Sequence, residues 1–187
     1  MEDHPLLVFA IERAAPPLRA LRDALQAAGY PAGIGVGTVG EATEEQLDST
    51  DWEAAFIRWT EPNPHEVALV ERALCEREEE AANAVAQALR LVANYPESAG
   101  RLIVADHLRR IQAVYAWQLY DPLLADEDHP AWEALDVALR TLAQQSDGII
   151  YAQAEGFYDA DGEMLLLEAG DEIELGNWEE EDEDEEE

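Results

Sequence analysis

Two separated stretches of this chain follow one grammar, and that grammar most limits the fold. Over residues 8–36 an apolar run is followed by Pro16-Pro17, a leucine-striped segment, Gly29 and a second apolar run. Over residues 114–154 an apolar run is followed by Pro130, another leucine-striped segment, Asp147-Gly148 and a further apolar run. Proline suits the first turn of a helix, where its missing N–H costs nothing. Glycine suits the stop, because it takes left-handed backbone without a side-chain clash. Each stretch therefore reads as strand, helix, strand. Strands and helices intermixed in this way predict an α+β class. The arrangement expected is a ferredoxin-like sandwich, or a diverged duplication of one with halves at residues 1–60 and 101–168. Its sheet is mainly antiparallel, with helices packed on one face.

The remaining elements follow from periodicity. Residues 6–11 read as a buried strand. Leu18, Leu21 and Leu25 share one helix face, with Arg19, Arg22 and Asp23 turned outward. Residues 33–39 are apolar but glycine-rich, the mark of a short or bulged strand. Thr43 and Gln46 have the spacing of a capping box for a short helix. Ala54–Trp59 reads as another strand. Asn63, Pro64 and Glu66 have the signature of a helix start. Val67, Val70, Leu74, Ala81, Val85, Ala88 and Val92 then recur at steps of three and four. That stripe predicts a long helical segment over residues 64–95, unbroken or split near Arg77, and ended at Tyr95-Pro96. Unbroken, it would hold about 30 residues and measure ~45 Å.

Residues 101–105 predict a short strand and residues 111–119 a longer one, with a helix over 107–119 as the competing reading. Asp128 or a neighbour caps the next helix, whose buried face carries Trp132, Leu135, Leu139 and Leu142. Residues 149–154, Gly156–Tyr158 and Met164–Leu167 predict three strands, the last two joined by a turn at Asp159-Ala160-Asp161-Gly162. One α+β domain over residues 1–175 is expected. Residues 176–187 read as an acidic, disordered tail whose base Trp178 pins to the body.

Charge narrows function more than fold. The chain holds 43 Asp+Glu against 11 Lys+Arg, a formal net charge of −32, and residues 179–187 are all acidic. A hydrophobic content of 48% still supplies a core, so the acids decorate a folded body. Such a surface repels phosphate backbones and anionic lipid, which argues against direct nucleic-acid or membrane partners. It favours a basic protein partner. Solubility alone is the plainer explanation of the acidity. There is no lysine, which excludes Schiff-base, P-loop and lysine-base chemistry. A GC-rich genome accounts for that absence without appeal to function. Cys75 is the only cysteine, so no internal disulfide forms. The acids beside it raise its pKa and disfavour a reactive thiolate. No basic segment precedes an apolar run at the N-terminus, and no apolar run reaches the ~20 residues of a membrane span. A cytoplasmic location is the expectation.

No motif carries a catalytic signature, and no cofactor or metal is expected. Asp126-Glu127-Asp128-His129 clusters four ligand-type groups, but adjacent residues point apart, whereas metal ligands converge from separated positions. Asp159-Ala160-Asp161-Gly162 lacks the later glutamate of a calcium loop. Gly33, Gly35 and Gly37 have the wrong spacing for a dinucleotide cradle. Asp106, His107, Arg109 and Arg110 could line a cleft, with His107 as a general base. Glu155, Gly156, Phe157 and Tyr158 read as an exposed edge with a bulge at the glycine, and together with Trp178 they form the candidate interface.

The reading that unites these features is a non-enzymatic protein-binding module, immunity- or inhibitor-like, that takes a basic protein surface. Acidic faces and the tail would attract the partner, and a few aromatic anchors would dock it. Two alternatives stand beside it. One is a small-ligand protein or enzyme using the cleft at Asp106, His107, Arg109 and Arg110. The other is an oligomerising module that uses the long helix as a seam.

Overall fold

Residues 6–10 carry no polar side chain, and four of the five are buried, so this strand must be covered on both faces. A computed structural model describes residues 6–37, 40–125 and 128–167. In chain order they form β1 (Leu6–Ala10), α1 (Leu18–Ala27), β2 (Ala32–Gly35), α2 (Glu44–Asp48), β3 (Ala54–Trp59), β4 (His65–Leu74), α3 (Glu79–Ala93) and α4 (Ala99–Leu108). There follow β5 (Ala113–Leu119), α5 (Asp121–Leu124), α6 (Ala131–Gln145), β6 (Gly148–Ala152), β7 (Gly156–Tyr158) and β8 (Met164–Leu167). The strands make one sheet in the order β2-β3-β4-β5-β1-β6-β7-β8. Every neighbouring pair is antiparallel.

Helices cover both faces of this sheet, which corrects the expectation of helices on one face. Val8 lies beside Tyr115 and Ile150 on the first face, where Leu18, Leu21 and Leu25 of α1 and Leu135, Leu139 and Leu142 of α6 complete the core. Phe9 lies beside Val114 and Ile149 on the second face, under Ala81, Ala88 and Val92 of α3 and Val104 and Leu108 of α4. Burying one such leucine or valine is worth about 1.5–3 kcal/mol. The two faces were not separable from sequence, because a strand covered on both sides shows no alternation.

The long helical segment over residues 64–95 does not exist. His65–Leu74 is a strand, and only Glu79–Ala93 is helical. The misleading stripe has a local cause. Arg58 pairs with Glu66 and Ile57 pairs with Ala68, which leaves Val67 as an extra residue in β4. This bulge turns Val67 onto the same buried face as Val70, a spacing of three that mimics a helix. A tight turn then separates strand from helix. Glu78 N–H donates to Leu74 O at 2.9 Å, and Leu74 N–H donates to Glu78 Oε1 at 3.0 Å. No long seam remains for the oligomerising alternative.

Residues 101–105 are also helical, as part of α4, rather than a strand. Ser98 Oγ caps that helix by accepting from Arg101 N–H at 3.1 Å. Only Val104 and Leu108 of α4 are buried, and Leu102 and Ile103 are exposed. That apolar but outward-facing pair produced the strand-like run. α5 has no counterpart in the sequence reading, and the remaining elements stand within a few residues of where periodicity placed them. The capping box at Thr43 and Gln46 is formed in both directions, and Gly29 ends α1 with φ +82°. Thr38 and Val39, and the whole of residues 168–187 with Trp178 and the acidic tail, lie outside the described residues. No helix of the described residues is long and apolar enough to cross a membrane.

Candidate functional site

Sheet and helices do not match in width, and the mismatch leaves one flank of the second face open. On the second face α3 lies over β4 and β5 while α4 lies over β8. The flank made by β2 and β3 is left with half-buried Phe56 and Leu69 as cross-strand neighbours. Between α3 and this side of the sheet runs a groove of about 810 Å³. Its floor is Leu7, Ala54, Ala73, Val114 and Ala116 from the sheet and Ala81 and Ala84 from α3. Alanine at five of these seven positions leaves the space between helix and sheet unfilled.

The rim is acidic. Glu53 precedes β3, Glu71 is on β4, Glu78 ends the turn into α3, and Glu80 is in the first turn of α3. All four are exposed. Glu80 also sits at the positive end of the helix dipole, where a carboxylate is favoured. Among the described residues no ion pair reaches any of the four. Arg72 is the one basic residue of the lining, and its guanidinium is engaged elsewhere, donating to Trp52 O at 3.5 Å and to Arg13 O. Four carboxylates without a cation, over an apolar floor, can accept hydrogen bonds from guanidinium or ammonium groups. The set has no nucleophile and no imidazole. None of the four stands out in the sequence as a site residue. The Glu78-Glu79-Glu80 run is a signal, but along the chain it reads as a break in a stripe.

The cleft expected at Asp106, His107, Arg109 and Arg110 is not assembled. Asp106, Arg109 and Arg110 are exposed at the C-terminal end of α4, with Arg110 3.9 Å from Asp106. His107 is half-buried and turns the other way, where its Nε2–H donates to Phe9 O at 3.1 Å. Burial holds its pKa below the ordinary imidazole value, the Phe9 carbonyl partly offsetting that effect. The bond ties α4 to β1, which is structural work.

Glu155, Gly156, Phe157 and Tyr158 do not form an edge. β7 lies between β6 and β8, and Phe157 is fully buried against Tyr151, ring centroids 4.9 Å apart. The register shift falls between Phe157 and Tyr158 rather than at Gly156, whose φ of +135° serves the turn before the strand. Glu155 and Tyr158 are nonetheless at a surface. They line a smaller groove of about 260 Å³ against α6, over Leu6, Leu135, Leu139 and Ile150. Tyr158 OH donates to Glu155 Oε2 at 3.0 Å.

Of the acidic cluster before α6, Asp126 and Glu127 lie outside the described residues. Pro130 holds the cap position of α6, and His129, the neighbour of Asp128, accepts from Ala131 N–H at 3.1 Å through its Nδ1. Its ring stands edge-on to Trp59 and to His65, with centroids 5.7 and 5.9 Å away. Among the described residues no group of three or more His, Cys, Asp or Glu side chains is placed to hold a metal ion. Asp159 Oδ1 accepts from Asp161 N–H and Glu163 N–H at 2.9 and 2.8 Å, so it organises the turn before β8. Cys75 is half-buried, and burial followed by the charge of Glu78 pushes its thiol pKa up. Comparison with known proteins gives no match, whether by family model, by curated sequence or by solved structure.

Proposed function

We propose that this chain is a non-enzymatic binding module that takes a basic segment of another protein in the groove between α3 and the sheet. The observation that carries this reading is the uncompensated rim: Glu53, Glu71, Glu78 and Glu80 surround an alanine floor, and among the described residues no guanidinium forms an ion pair with them. Guanidinium donors over an apolar floor match that lining in charge and shape. The chain's net charge of −32 adds long-range attraction, and the acids of residues 179–187 extend it. That attraction is screened beyond ~8 Å at physiological salt, so it raises association rate more than affinity. A ferredoxin-like reading of the scaffold has support in one feature. β5 and β6, joined through α6, are parallel and clasp β1 between them.

The test is titration of the full chain with a short oligo-arginine peptide at low and moderate salt. Replacing Glu71 and Glu80 by Gln should weaken binding by about tenfold, or ~1.4 kcal/mol. Replacing the exposed Glu45 and Glu97 by Gln removes the same charge elsewhere and should change affinity much less. Equal losses from both pairs would mean that net charge alone attracts the peptide, and the groove reading would fall.

A further inference from the structure

The two ends of the sheet are treated differently. At the β2 end, Ala42 N–H donates to Ile34 O at 2.9 Å, so the chain itself covers part of that edge. At the other end, β8 pairs with β7 on one side, and among the described residues its outer side makes no backbone hydrogen bond. Unpaired backbone groups along a strand are a template for another strand.

Apolar exposure concentrates at the same place. Of the five large hydrophobic residues left exposed among the described residues, four lie on β8 and on α4, the helix packed against it. They are Met164 (51% exposed), Leu167 (46%), Leu102 (68%) and Ile103 (53%). An edge strand that needed only protection would carry charge at these positions.

Charge selects what can pair there. Asp159, Asp161 and Glu163 precede the strand, and Glu168, Asp171 and Glu172 follow it in sequence. Arg140 is the last basic residue of the chain. Its guanidinium is held by Asp136 Oδ1 at 2.9 Å and Asp161 O at 2.8 Å. A second copy laid antiparallel along β8 would set acids against acids, which is destabilising across a strand pair. A segment with apolar side chains at alternate positions and lysine or arginine between them is complementary in both respects.

We propose that the outer edge of β8 is a strand-addition site that takes such an extended basic and apolar segment of a partner protein as a ninth strand. Backbone hydrogen bonds would supply affinity, and the apolar side chains of β8 and α4 would supply register and selectivity. The site rests on the proposed function only for the sign of the partner's charge, and it uses a surface apart from the acidic groove.

The probe is a short peptide alternating lysine and valine, added to the full chain, with amide hydrogen exchange read along the sequence. Residues 164–167 should gain protection. Met164→Lys with Leu167→Lys, at two exposed positions, should weaken binding by about tenfold or more while circular dichroism stays unchanged. The Glu71→Gln, Glu80→Gln variant should leave the protection of residues 164–167 in place. Unchanged exchange there, or equal protection by a glutamate–valine peptide, would overturn the proposal. So would peptide-free exchange already slow enough for a paired strand, since the edge would then be occupied. Protection confined to the groove would overturn strand addition and leave the proposed function standing. Protection of β8 with an indifferent groove would do the reverse.

Discussion

Replacing Gly100 by alanine sets two effects against each other, and the geometry decides which wins. Gly100 is the second residue of α4. In a helix, glycine to alanine ordinarily stabilises by about 0.5–1 kcal/mol, through helix propensity and reduced freedom of the unfolded chain. Here a Cβ on Gly100 would lie 1.9 Å from the backbone oxygen of Leu165. A carbon–oxygen contact normally closes to ~3.3 Å, so α4 and β8 would have to part by about 1.4 Å. The obstacle is backbone of a paired strand and cannot swing aside like a side chain. Overpacking of this kind costs about 1–3 kcal/mol and occasionally more. The clash should outweigh the propensity gain and leave a net loss of ~1–2 kcal/mol. At ~2–4 °C per kcal/mol for a chain of this size, Tm should fall by roughly 2–8 °C. The assay is urea and thermal unfolding of both proteins, with amide exchange over residues 164–167 as a local readout. Faster exchange there should accompany the loss. A variant as stable as the parent would refute the close approach of α4 to β8, and with it the placement of the exposed edge.

Three further outcomes follow from the packing. Burial pushes the Tyr115 pKa up to about 12, with the charge of Arg72 partly opposing. A raised folded value means the contribution is full below the ordinary ~10 and is lost as pH rises toward 12. Urea unfolding between those values should show a falling stability that Tyr115→Phe makes shallower, and identical slopes would contradict the burial. Burial lowers the His107 pKa, so its contribution is present above the ordinary ~6.5 and is lost as pH falls below it. Titration of its imidazole by NMR should give a midpoint below that value, and a normal midpoint would contradict the burial of the ring. Deleting residues 179–187 should leave the fold intact and slow association with a basic peptide at low salt, an effect that added salt removes. An unchanged rate at low salt would exclude a steering role for those acids.

Legibility in the sequence followed burial on one side or two. α1, α6, β3 and the hairpin of β7 and β8 were readable because stops, caps and turn residues bound them. β4 was not, because a bulge at Val67 gave a strand the spacing of a helix. α4 was not, because Leu102 and Ile103 face outward and break the helical stripe. These two misreadings hid both surfaces proposed here. With His65–Leu74 taken as helix, Glu71 could not be seen beside Glu53, since only strand pairing of β3 with β4 sets them together. With residues 101–105 taken as a strand, nothing identified β8 as an edge bearing a helix with exposed leucine and isoleucine. The charge that motivates a basic partner was visible at once, because composition needs no fold.

The most direct measurement is amide exchange of the full chain with and without a short oligo-arginine peptide, read along every element. Docking in the groove requires slower exchange in β4 around Glu71 and in the first turn of α3, and no change in α1 or α6 on the opposite face. Uniform slowing over the whole surface, or none in β4 and α3 at saturating peptide, would contradict a basic-segment site in that groove.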